Sequence, residues 1–106
     1  MIAKLPSLAA LAITLTTSGA IAQGVPKLDF GPLCRAQEKA IPELAKNCTA
    51  GQTDAREKLV QQWAKFPSGD KAACTRLVTS SPNFQSYVEL LTCLQVKQEA
   101  RNLPKE

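Results

Sequence analysis

The sequence predicts an all-α fold, a small disulfide-bonded helical bundle of three main helices plus a shorter N-terminal one, following a signal peptide. Three observations predict it. The stretch 84–101, FQSYVELLTCLQVKQEAR, carries the most regular helical period in the chain. At about 100° per residue, Phe84, Tyr87, Val88, Leu90, Leu91 and Leu94 share one broad face. Glu89, Thr92 and Glu99 oppose them, with Val96 the apolar intruder. No stretch alternates apolar and polar residues as a half-buried strand does. Cys34, Cys48, Cys74 and Cys93 make an even set, which in an oxidising compartment implies two disulfides.

The start of the 106-residue chain predicts export. Lys4 is the only charge before Lys27, and residues 8–15, LAALAITL, form an apolar run of signal-peptide length. Ala20, Ile21 and Ala22 give a small-x-small pattern, placing cleavage between Ala22 and Gln23. Position 23 is not Cys, which argues against a lipoprotein anchor. The run is short for a span and is followed by Thr16, Thr17, Ser18 and Gly19. Residues 1–22 are therefore assigned to the signal peptide and 23–106 to a single small helical domain, with no membrane insertion after cleavage.

Residues 23–31, QGVPKLDFG, have Pro and Gly and no period, and predict an extended arm pinned to the body by Leu28 and Phe30. Pro32 suits a first helical turn. That helix carries Leu33, Cys34, Gln37 and Ile41, and Pro42 ends or bends it near Ala40. Residues 43–47 predict a short second turn and 47–51, NCTAG, a loop. Thr53 is the predicted cap of the next helix, with Asp54 and Glu57 near its positive end; Thr49 and Gln52 form a competing capping box. This helix runs to about Phe66, with Ala55, Leu59, Val60, Trp63 and Phe66 inward, and Pro67 stops it. Ser68 caps a third helix with Ala73, Cys74, Leu77 and Val78 on its apolar side. Ser81 and Pro82 begin the last helix, which frays before Pro104.

Charge and composition exclude several classes of function. Without Lys4 the exported part has 12 basic and 9 acidic residues, a net +3 spread along the helices. No basic tract points to nucleic acid or a membrane surface. The chain has no His, so a Ser-His-Asp or Cys-His site is unavailable within it. The carboxylates fall mostly on polar faces, and no phosphate loop or dinucleotide fingerprint is present. The gaps between cysteines are 13, 25 and 18 residues, unlike the close pairs of a zinc site or a C-x-x-C redox motif. No catalytic residue, metal or cofactor is predicted.

Arg56 breaks its pattern, lying on the apolar side one turn before Leu59 and Val60. Its stem covers the core edge, with an interhelical ion pair and a ligand contact as the alternatives. Trp63 at helical spacing is a core residue rather than a binding platform.

Four cysteines allow three pairings. If the helix through Trp63 rises and the next descends, Cys74 lies about 9 Å below the turn. The last helix then climbs about 16 Å from Pro82 to Cys93, near the height of Cys74. Cys48 stays low, leaving it to Cys34. In one straight helix those two would stand about 21 Å apart, so this pair requires the bend at Ile41 and Pro42. The expected bridges are Cys34–Cys48 and Cys74–Cys93.

Ala55, Arg56, Leu59, Trp63, Phe66, Cys74 and the run Ser86-Tyr87-Val88-Glu89-Leu90-Leu91-Thr92-Cys93-Leu94 together resemble an uncharacterised group of short exported alphaproteobacterial four-cysteine proteins. The likeness covers about residues 34–94, and the nine-residue run is its most specific part. Asn83-Phe84-Gln85 departs from the tighter Gly-Pro turn expected before Ser86. The resemblance implies location and fold and no activity. Arg56, Trp63, Tyr87 and Leu91 are taken as structural. The expected function is a non-enzymatic periplasmic or secreted module, structural or meeting a protein partner. The alternative is a small inhibitor or stress-related protein that binds an envelope enzyme.

Overall fold

The computed structural model describes residues 24–104; the expected signal peptide, residues 1–22, and its expected cleavage point between Ala22 and Gln23 lie outside the described residues. Four α-helices follow the arm: α1 (Gly31–Ala40), α2 (Pro42–Gln62), α3 (Ser68–Thr79) and α4 (Tyr87–Asn102). Short 3-10 turns at Trp63–Lys65 and Pro82–Phe84 lead out of α2 and into α4. There is no strand among the described residues.

Local chemistry sets most of the boundaries. Asp29 accepts a hydrogen bond from the Gly31 amide at 3.0 Å, and Pro32 sits in the first turn of α1 where its missing N–H costs nothing. Pro42 holds Ile41 in extended geometry (φ −142°, ψ 94°), so α1 stops at Ala40 and the chain reverses. Here Cys48 is folded back onto Cys34, with the two Cα atoms 5.6 Å apart. Pro67, also extended, separates the end of α2 from α3.

α2 is one continuous helix, which corrects the sequence expectation. Residues 47–51 are helical, Thr53 is an exposed residue within the helix, and there is no separate turn at 43–47. Only Gly51 carries a large propensity penalty there, about 1 kcal/mol, and no Pro interrupts the backbone ladder between Pro42 and Pro67. The α-helix ends at Gln62, before the expected Phe66. α4 begins five residues later than Pro82. Its N-cap is Ser86, whose hydroxyl accepts the Glu89 N–H at 3.1 Å.

α4 is the organising element. It lies between α2 and α3 and meets both, while among the described residues no Cα of α2 lies within 8 Å of one in α3. Its start meets the middle of α2 at Gln52, and its end meets the start of α3 through the Arg101–Asp70 ion pair. α4 therefore climbs alongside the upper half of α2 and runs antiparallel to α3. The Cys74–Cys93 bridge joins α3 to α4, with a Cα separation of 5.8 Å. Leu59, Cys74, Leu90 and Leu94 are fully buried, surrounded by Leu28, Ala55, Phe66, Val78, Tyr87 and Leu91. Four residues assigned to the core are instead exposed: Val60, Leu77, Phe84 and Val88. Phe84 lies on the 3-10 turn ahead of α4, so it does not share that helix's face.

The lower half of the molecule is thinly packed. α1 lies against the first half of α2, and Cys34 is its one buried residue. Ile41 and Leu44, at the tip of this hairpin, are both exposed.

Candidate functional site

A buried polar joint fixes the arm and the base of α4. Gln52 is 3% exposed in the middle of α2. Its Oε1 accepts the Tyr87 N–H at 2.6 Å and its Nε2 donates to Ser86 Oγ at 2.9 Å. Two amides at the start of α4 thus find acceptors, one from a neighbouring helix and one from the helix's own cap. Those groups would otherwise lack partners inside the protein. The Tyr87 hydroxyl accepts the Leu28 amide at 2.8 Å, and Phe30 meets the Tyr87 ring edge-on with centroids 6.1 Å apart. Gln85 accepts the Asp29 amide at 2.8 Å. The arm is held at successive points by α4 and the residues before it.

This arm forms one wall of an open cleft of about 400 Å³. Val25 packs on the core, while Gly24 and Pro26 face the cleft. Trp63 stands opposite, with Ala72, Thr75 and Arg76 of α3 alongside. Lys71 fixes the tryptophan from two directions. Its ammonium donates to the Trp63 carbonyl at 3.1 Å and lies 5.3 Å from the ring centroid. That placement is a cation–π contact. Trp63 packs against the core and is partly buried, with the rest of its surface open to the cleft.

Tyr87 and Leu91 lie in the core, and the four cysteines pair as expected from the bend and from the helix heights. Arg56 is exposed, one position beyond buried Ala55. The ion pairs among the described residues are Lys58–Asp54 and Arg101–Asp70, so Arg56 takes part in none of them. Trp63 stands at the rim of the core and is also cleft wall. Gln52, expected only as a capping-box partner of Thr49, lies inside α2 and holds the joint with Ser86, which the sequence reading gave no role in starting α4. Ser86 through Glu89, S-x-x-E, is a capping-box signature that competes with Ser81-Pro82, and it marks the true start of α4. Among the described residues no group of three or more His, Cys, Asp and Glu side chains is placed to hold a metal. No helix among them is long and apolar enough to cross a membrane.

Fold and cross-links define the class, an all-α domain closed by two disulfides around a central C-terminal helix. No known family model, no curated protein and no solved structure matches the chain.

Proposed function

We propose that this protein is a non-enzymatic, exported interaction module that acts in the periplasm or outside the cell, and that it belongs with the exported four-cysteine proteins its sequence resembles. The observation that carries this reading is Trp63, a large aromatic side chain only partly buried and held by Lys71 at the wall of an open cleft. Aromatic side chains of this kind supply much contact area at low ordering cost, which is why they are enriched at protein interfaces. Two disulfides support an oxidising compartment.

The test combines cell fractionation, intact mass and crosslinking. The protein from the envelope or medium should begin at Gln23 and be lighter by four hydrogens than its reduced form. Crosslinking before lysis should give a discrete heteromeric species. A cytosolic chain that retains Met1 and free thiols overturns export. A correctly exported chain that stays monomeric and uncrosslinked overturns the interaction module.

A further inference from the structure

We infer that the Trp63 cleft is a docking groove for an acidic segment of a partner protein, with carboxylates on Lys71 and Arg76 and an apolar side chain against Trp63. The inference rests on the interaction reading above and names the partner's chemistry. Lys71 and Arg76 are the charged residues that line the cleft. Asp70, next to Lys71 in sequence, is engaged by Arg101 of α4 and so does not neutralise them. An ammonium has three donors, and Lys71 spends one on the Trp63 carbonyl, which leaves two for an incoming carboxylate. Arg76 is exposed and makes no ion pair among the described residues. Pro26 and Ala72 give the walls between these charges an apolar character that suits an aliphatic or aromatic side chain.

The groove is also pre-formed. One wall is anchored through Val25 in the core and Leu28 on Tyr87, and the other is an α-helix tied to α4 by Cys74–Cys93. Binding therefore orders few groups of this protein, which favours affinity. An anionic membrane surface is the weaker match, because such surfaces recruit clusters of about four to eight cations, and two line this cleft.

Trp63 is the only tryptophan, so its fluorescence reports the cleft directly. The oxidised protein would be titrated with acetyl-Glu-Leu-Phe-Glu-amide and with its Gln-Leu-Phe-Gln counterpart. The acidic peptide should give a saturable change that weakens as salt rises from about 50 to 300 mM, because ions screen the contact. Arg76→Glu should weaken it by about tenfold or more. Arg76 lies in the last turn of α3, where a cation is favoured, so the thermal melt should fall slightly while the protein stays folded at the titration temperature; Arg76→Gln, which adds no negative charge there, should weaken binding in the same direction. Equal responses to the two peptides, or no saturation by about 1 mM acidic peptide, would overturn the inference. So would a response confined to phosphatidylglycerol vesicles. Such a failure leaves export and crosslinking untouched, whereas failed fractionation with positive titration would sink the cellular reading and spare the groove.

Discussion

Gln52 shows how one side chain ties two helices together. It satisfies the Tyr87 amide and engages Ser86, and both partners are buried. Gln52→Leu keeps the size but leaves the Tyr87 N–H without its acceptor. The expected cost is about 1–3 kcal/mol, read as a lower urea midpoint at unchanged slope. A midpoint equal to the parent's would mean that water or another acceptor replaces the amide. Tyr87→Phe removes the acceptor for Leu28 N–H and should speed amide exchange at Leu28 more than at Leu90 in the core. The sequence alone places Trp63 in the core, where truncation to Ala costs about 3–5 kcal/mol. Its partly buried placement lowers that expectation below about 3 kcal/mol. A thermal melt of Trp63→Ala decides between the two.

At the level of elements, α2 holds the main lesson about legibility. Cys48, Gln52, Ala55, Leu59, Trp63 and Phe66 recur at spacings of four, three, four, four and three residues, and all face inward at least in part. That stripe was present in the sequence. It was hidden because Gln52 is polar and Gly51 lies beside it, so the segment NCTAG has the composition of a loop. A buried glutamine counts as inward-facing only once its partners on α4 are known. Gly51 itself has open space around its missing Cβ, with no neighbour within 4 Å. Gly51→Ala should therefore stabilise the protein by about 0.5–1 kcal/mol, through higher helix propensity and lower unfolded-state freedom. A lower melting temperature would show that the helix there needs glycine for some other reason. The start of α4 was misplaced for a different cause. Ser81-Pro82 and Ser86-x-x-Glu89 are both start signals, and the first nucleates only a 3-10 turn.

The whole molecule divides into a well-packed upper part and a clasped lower hairpin, each holding one disulfide. Cys74 is fully buried in the core, whereas Cys34 is the only buried residue of α1. Removing the two bridges should therefore have different consequences. Replacing Cys74 and Cys93 by Ala should lower global stability by about 3 kcal/mol in a denaturant melt, the scale expected for closing a loop of this size. Replacing Cys34 and Cys48 by Ser should release α1 and fray the first turns of α2. Amide exchange would rise across 31–48 and stay slow at Leu59, Leu90 and Leu94. Uniform acceleration over both regions would show that the hairpin and the core unfold as one unit.

The sequence by itself determined the helical class, the turn at Pro42, the stop at Pro67 and the inward face of Tyr87, Leu90, Leu91 and Leu94; it made Cys34–Cys48 and Cys74–Cys93 the expected pairs only under an assumed helix arrangement, which the tertiary structure supplied. These follow from local backbone restrictions, from helical period and from the reach of a disulfide. Only the tertiary structure decided that α4 sits between α2 and α3, that Gln52 is an interior residue and that Trp63 faces a cleft. The reason is that burial of a polar or amphipathic side chain depends on what another element offers it. Tyr87 N–H and Ser86 Oγ draw Gln52 inward, and the arm together with Lys71 turns the rim of the core at Trp63 into a groove.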